Sequence, residues 1–260
     1  STAFQAYKAR MQGFIENRSA RPETAFSDTM QVTMAQNHYR VRPWSLQLVD
    51  EMDLFASMTI YRQRFADMDD FNFYFVGNFS LAQMEPLVRT YLGGLPTTEH
   101  TEIWKDVGVR APRGVIEKTV WRGIEPKSRT ALVFTGPYEF DGWRNDFELE
   151  AMTDVFEIKL REVLREDLGG TYGVWVNGGG SHYPQQTYRI NLTFGCDPER
   201  AEELTSVVFE QIDSLKRFGP EVEYVRKVQE AAKRNHEVNL KENGFWRETL
   251  SSADFHGLDP

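Results

Sequence analysis

An arginine and a tyrosine seven positions apart, Arg165 and Tyr172, have the residue types and spacing best suited to chemistry in this sequence. A guanidinium is always charged and a phenol is protonated at neutral pH, so both groups donate hydrogen bonds. Two such donors at one rim of a sheet can bind a carbonyl oxygen or stabilise a developing oxyanion. In the structural alternative, which is the commoner case for such a spacing, the arginine pairs with a local carboxylate and the tyrosine closes the edge of the core.

The elements that must position this pair are a helix, a glycine turn and a strand. Apolar residues recur at helical spacing from Leu160 to Leu168 and predict a helix with one buried stripe. Gly169 or Gly170 fits the left-handed position that ends a helix. The stretch Thr171 to Val176 is rich in residues that favour strands. The two candidate donors therefore belong to one corner of the fold.

The rest of the chain divides into a helical part and a part that mixes strands with helices. Helical patterns fill the sequence up to about Phe65. Strands are then predicted at Phe71–Val76, Gly114–Trp121 and Arg129–Thr135, with helices between and after them. With the strand beyond the glycine turn, the order is β-α-β-β-α-β, the split βαβ plan. The predicted fold class is α+β, a ferredoxin-like mixed or antiparallel sheet with helices packed on one face.

Several local features of this second part carry their own predictions. The stripe Phe71, Phe73 and Phe75 is expected to lie in the core. The glycine run 178–180 lacks a phosphate-binding ending and favours a hairpin loop before a strand at Thr187–Phe194. Helices are expected from Asp197 and Pro220, and residues 251–260 are expected to form a loop.

Composition excludes several classes of function. The 260 residues carry a formal net charge of −9, and no Lys/Arg cluster stands out, which argues against a nucleic-acid partner. No apolar run reaches the length of a transmembrane helix. The single cysteine, Cys196, excludes an internal disulfide and a thiolate zinc site.

The sequence contains no complete catalytic or metal-binding motif. None of the histidines is followed by another four residues later, the spacing of a helical metal-binding pair. No Gly-x-Ser-x-Gly sequence is present for a serine nucleophile. The five histidines are His38, His100, His182, His236 and His256.

Three stretches of the chain resemble the M16 zinc peptidases, the pitrilysin or insulin-degrading-enzyme family. LREDLGGTYGV, from Leu164 to Val174, resembles the segment in which an arginine and a tyrosine of this family contact the substrate. The segment from Tyr61 to Pro96 is similar to the opening of a C-terminal-type domain of this family. The sequence DPERAEEL, which begins at Asp197, is similar to the later part of such a domain. The resemblance covers about Tyr61 to Trp246.

The resemblance implies a domain organisation and a missing metal site. Residues 1–60 would be the closing helices of a preceding domain, and 61–260 a C-terminal-type domain, truncated at its end, with the LuxS/M16 metallopeptidase-like fold. Family peptidases carry an inverted zinc motif, His-x-x-Glu-His, in their first domain, and this chain has none. We therefore expect no cofactor in this fragment and Zn²⁺ in the N-terminal domain of the parent.

By resemblance, the chain is a fragment of the substrate-enclosing half of a zinc endopeptidase and is not active alone. Arg165 and Tyr172 would be its catalytic and substrate-binding residues, holding the scissile carbonyl and its oxyanion. The implied partners are a peptide or unfolded protein substrate and the zinc-bearing half of the parent. A periplasmic or otherwise exported location is implied by bacterial relatives. The alternatives are a non-catalytic scaffold or partner subunit, and a peptide-binding module.

Overall fold

The chain folds into two compact units. The computed structural model describes residues 1–98 and 103–259, so His100 and Pro260 lie outside the described residues. One unit comprises residues 1–73 with 78–124, and the other residues 74–77 with 125–260.

The regular elements of the first unit are helices, as the sequence predicts for the chain up to about Phe65. Asp53 caps its fourth helix by accepting a hydrogen bond from the backbone N–H of Ala56, and Pro22 occupies the first turn of the second. Ile15, Ala35 and Val49 are buried in this unit. Its helices are α1 (Thr2–Ser19), α2 (Pro22–Met34), α3 (Leu46–Asp50), α4 (Leu54–Arg64) and α5 (Leu81–Tyr91).

The second unit has an α+β architecture. Its first part comprises β1 (Ser128–Pro137), α6 (Arg144–Arg161), a π-helical turn (Glu162–Asp167), β2 (Gly173–Ser181) and β3 (Thr187–Cys196). Its second part comprises a short 3₁₀ turn (Pro198–Arg200), α7 (Ala201–Phe218), α8 (Val222–Asn239) and α9 (Asn243–His256). In the described part of the chain, no helix has the length and apolar character needed to cross a bilayer.

The three strands form one antiparallel sheet in the order β1-β3-β2. Phe194 of the central strand lies opposite Thr130 of β1 and Val174 of β2. Since alternate residues point to opposite faces, Phe194 and Val174 share a buried face, whereas Trp175 lies on the exposed one. The sheet is therefore covered on one side.

Helices α6 and α7 cover that buried face. The core beneath the sheet joins Leu160 of α6, Leu164 of the π-helical turn and Leu204 of α7 to the buried residues of β2 and β3. On another side of α6, Val155 packs with Val228 of α8 in a smaller cluster. The predicted placement of helices on one face of the sheet is thus observed in this unit.

Two predicted strands do not form. Within the described residues, neither Phe71–Val76 nor Gly114–Trp121 pairs with the sheet, and the split βαβ plan is not seen. The expectation that the phenylalanine stripe is core is also wrong, because Phe73 is 46% and Phe75 48% exposed. An alternating pattern shows which face of a strand would be buried in a sheet. A strand forms, however, only where a neighbouring strand provides partners for its backbone hydrogen bonds.

One further prediction fails at the carboxyl-terminal side. Residues 251–256, expected in a loop, form the last turns of α9. Trp246, Leu250 and Ala253 recur at helical spacing, and the helix ends only at Gly257, which has a left-handed φ of +66°.

The predicted helix from Asp197 is confirmed. Pro198 opens the 3₁₀ turn, which continues without a break into α7.

The glycine run lies inside β2 and not in a hairpin loop. A Cβ at Gly178 would come within 2.8 Å of the Thr153 methyl group on α6. A Cβ at Gly180 would overlap the Tyr138 ring and the Asp146 carboxylate. The glycines therefore allow α6 and the loop before it to approach the strand closely.

Two carboxylates of α6 bond to the outer edge of β2. Glu157 Oε2 accepts from the backbone N–H of Val176 at 2.9 Å, and Asp146 Oδ1 accepts from that of Gly180 at 3.1 Å. Asp146 Oδ1 also accepts from the Tyr138 hydroxyl at 2.6 Å. Burial and this hydrogen bond raise the pKa of Tyr138 well above its ordinary value, so the phenol stays neutral.

We expect Gly180→Ala to destabilise the protein by about 1–3 kcal/mol, because the methyl group must displace the Tyr138–Asp146 pair. Gly179→Ala is the matched control, since a Cβ there has no neighbour within 4 Å. It should be neutral or slightly stabilising. Urea unfolding of both variants measures the difference, and equal stabilities would contradict this explanation of the glycine run.

Candidate functional site

The corner that contains Arg165 and Tyr172 begins where α6 changes into a π-helical turn. Leu164, in that turn, is fully buried and holds it on the core. The turn closes with a hydrogen bond from Leu168 N to Val163 O at 3.1 Å and another from Gly170 N to Leu164 O at 2.9 Å. Single π-helical turns interrupt α-helices often at functional sites, because they rotate the side chains that follow.

The double glycine after this turn is required by its geometry. Gly169 has φ +57°, which confirms the predicted left-handed helix end. A Cβ at Gly170 would lie 2.7 Å from Leu204 Cδ2 on α7. Gly169 therefore allows the left-handed backbone conformation, and Gly170 allows the turn to pack closely on α7.

We expect Gly169→Ala to cost about 1–2 kcal/mol, because an L-residue is strained in the left-handed conformation. Gly169→Asn should cost less, since asparagine tolerates this conformation better. The space around this Cβ is open, so sterics do not complicate the comparison. Thermal unfolding separates the two variants, and an alanine variant as stable as wild type would mean that the turn adapts without the glycine.

The strand side of the corner is fixed by Thr171. Its buried hydroxyl lies 2.6 Å from Gly195 O and 3.1 Å from Gly173 N, so it joins β3 to the start of β2. The backbone N–H of Tyr172 also donates to Gly195 O, at 3.1 Å. The backbone of Tyr172 is thus held by the central strand, although the residue precedes β2.

The two side chains themselves are exposed and largely free of the fold. Tyr172 is 76% exposed, and its hydroxyl donates one long bond, 3.4 Å, to Asp197 Oδ1. Arg165 is exposed on the π-helical turn and has no hydrogen-bond or ion-pair partner among residues 1–98 and 103–259. No bond in that part of the chain joins the two residues. The structure therefore places them on either side of one glycine turn, with donor groups directed away from the core.

Two residues that support this corner were not predicted. Arg200 donates to the Leu168 carbonyl at 3.2 Å, so it caps the end of the π-helical turn, and it forms an ion pair with Glu203 at 2.8 Å. Asp197, from which a helix is predicted and observed, also accepts the Tyr172 bond. The sequence does not indicate either role, because residues 197–200 are far from the glycine turn along the chain. Only the pairing of β2 with β3 brings them next to it.

One acidic side chain of the π-helical turn, Glu162, is bonded to α8. Tyr224 of α8 donates from its hydroxyl to Glu162 Oε2. That bond and burial raise the pKa of Tyr224 well above its usual range. In the described ranges 1–98 and 103–259, no group of three or more His, Cys, Asp or Glu side chains could hold a metal ion. The chemistry available at this corner is hydrogen-bond donation to an anion or a carbonyl.

Comparison with known proteins assigns this fold to a class. Residues 57–232 match the family described as the peptidase M16 inactive domain. The match covers more than half of the chain, and the chain therefore belongs to the M16 inactive-domain family. The resemblance seen in the sequence is confirmed.

Individual relatives agree with this assignment. A "zinc protease PQQL-like" protein of Arabidopsis thaliana is 23% identical over 250 residues, which is 91% of this chain and 26% of the relative. The periplasmic protease PqqL of Escherichia coli superposes with a TM-score of 0.79 at 17% identity, over 96% of this chain and 27% of that structure. The ferredoxin protease FusC, solved with Arabidopsis ferredoxin, gives 0.77 at 16% identity, with coverages of 98% and 27%. The chain thus spans about a quarter of the length of these relatives.

Proposed function

We propose that this chain is part of the substrate-enclosing half of an M16 zinc endopeptidase. In this proposal Arg165 and Tyr172 hold the scissile carbonyl of a peptide and stabilise the oxyanion formed on hydrolysis. The observation that carries the proposal is the exposure of both donors beside one glycine turn. Neither side chain has the contacts of the structural alternative, because Tyr172 is 76% exposed and Arg165 has no carboxylate partner in residues 1–98 and 103–259.

The zinc ion would come from another domain of the parent and would supply an activated water for attack on the carbonyl. The residues of this chain would act on the other side of the same carbonyl. The guanidinium of Arg165 provides fixed positive charge, and the phenol of Tyr172 donates a hydrogen bond to the oxygen as its charge develops. Both interactions grow stronger in the transition state, which is the condition for raising kcat.

The proposed position within a longer protein is supported by the surface of the first unit. Val115 is 89% and Trp121 84% exposed, and large apolar side chains at this exposure usually mark a surface that another part of a protein covers. We propose that residues 1–60 close a preceding domain and that 61–260 form the C-terminal-type domain.

The relatives suggest the class of substrate and the location. FusC was solved with a ferredoxin, a protein, and the Escherichia coli relative is described as periplasmic. On that basis we propose peptide or unfolded protein substrates for the parent and an exported location.

The test is cleavage of a fluorogenic peptide by the full-length parent, comparing wild type with Tyr172→Phe and Arg165→Ala. Reduced turnover with an unchanged melting temperature would support the proposed roles. Unchanged turnover in both variants would contradict them and would leave the domain as a non-catalytic scaffold, in agreement with the "inactive domain" description of the family. Peptide affinity retained by the present chain alone would instead favour a peptide-binding module.

A further inference from the structure

A pair of histidines lies where three elements of the second unit meet. His182 follows β2, on the turn towards β3, and His256 is the last residue of α9. Both side chains are half-buried. Phe140, from the loop before α6, stacks on His182 with ring centroids 4.3 Å apart and contacts His256 at 4.6 Å. The two imidazoles are thus held by aromatic packing.

The geometry of the pair is that of two converging ligands. The Nδ1 atoms of His182 and His256 are 3.2 Å apart, while the ring centroids are 5.4 Å apart, so the two nitrogens lie between the rings and face each other. Only one proton fits between them, and at least one Nδ1 therefore presents a lone pair. When neither Nδ1 carries a proton, the two lone pairs face the space between the rings, an arrangement suited to Zn²⁺ and similar divalent cations.

The separation also fits the metal. Zinc–nitrogen bonds of about 2.0–2.1 Å across the 3.2 Å gap give an N–metal–N angle of about 100–106°, close to tetrahedral. No third His, Cys, Asp or Glu completes a group with them in residues 1–98 and 103–259, so water would fill the other positions. We propose that His182 and His256 form a two-imidazole site for a divalent d-block cation such as Zn²⁺. The bound ion would tie the end of α9 to the β2–β3 turn.

This site is independent of the proposed catalytic role, because it uses neither Arg165 nor Tyr172 and can be measured without peptide cleavage. The experiment is calorimetric titration of the present chain with Zn²⁺ and with Ni²⁺, together with thermal unfolding in saturating metal. We expect one ion per chain, a melting temperature raised by about 2–5 °C, and no response to Mg²⁺. His182→Gln and His256→Gln should each weaken binding at least tenfold.

His236→Gln is the matched control, because His236 lies exposed on α8 and packs only edge-on against Phe245, with ring centroids 5.7 Å apart. It should bind as wild type does. Circular dichroism without metal checks that each variant is folded, and His182→Gln keeps the test valid if the change at His256 loosens α9. Absence of Zn²⁺ binding by wild type, or binding that survives both His182→Gln and His256→Gln, would overturn the proposal and leave a hydrogen-bonded histidine pair.

Discussion

On the proposed function, Tyr172→Phe in the full-length parent protein is expected to lower kcat by about 10²–10³, the usual effect of removing one oxyanion donor. The melting temperature should stay unchanged, because the phenol is exposed and its one intramolecular bond is 3.4 Å long. Arg165→Ala should lower kcat/KM by a similar factor, because it removes the proposed positive charge beside the oxyanion. Its melting temperature should also stay unchanged, since no partner in the described part of the chain is lost with it. Initial rates on a fluorogenic peptide, over a range of concentrations, separate kcat from KM.

The controls are surface residues of the same types. Tyr91→Phe removes a hydroxyl from a tyrosine that is 72% exposed, and Arg234→Ala removes a guanidinium from the exposed side of α8. Both should leave turnover within twofold of wild type. If Tyr172→Phe behaves as Tyr91→Phe does, the glycine corner has no part in the chemistry.

Phe194→Ala is expected to cost about 3–5 kcal/mol of folding stability, the largest effect of any single change considered for this chain. Phe194 is fully buried at the centre of β3, between the sheet and its covering helices. Truncation removes an aromatic ring and leaves a cavity that the strand on either side cannot close. Urea unfolding followed by circular dichroism measures the loss.

Thr193→Ala, one residue earlier on the same strand, is the control for the two faces of the sheet. Its half-buried side chain lies on the opposite face from Phe194, so its replacement should cost no more than about 1 kcal/mol, the range of strand propensity. A loss below about 1 kcal/mol for Phe194→Ala would show that the helices do not pack on this face as the structure has them.

The local signals of the sequence were sufficient for the corner itself. The predicted stripe is buried at Leu160 and Leu164, although Leu168 at its end is 39% exposed. The left-handed Gly169 and the strand after it are observed. Helix periodicity and a glycine stop are properties of a short segment, so a single sequence reveals them. The roles of Arg165 and Tyr172 in catalysis remain a prediction, because a role depends on what binds and not on where the residue lies.

The failed predictions for 71–76 and 178–180 depended on distant parts of the chain. Phe71–Val76 has the alternating pattern of a strand, but this pattern does not ensure that a neighbouring strand is available for backbone hydrogen bonds. Gly178–Gly180 looked like a turn because the approach of α6, which explains the glycines, cannot be seen in a local pattern. The capping of the Leu168 carbonyl by Arg200 was hidden for the same reason, since 32 residues separate the two.

The carboxylates on the outer side of β2 decide in which direction the sheet can grow. Glu157 and Asp146 already bond the N–H groups of Val176 and Gly180 that an incoming strand would need. An added strand on that side would have to displace two charged acceptors, which is how natural sheets prevent edge-to-edge association. Extension of the sheet, by more of the parent chain or by an extended peptide, is therefore directed to the opposite margin, at β1.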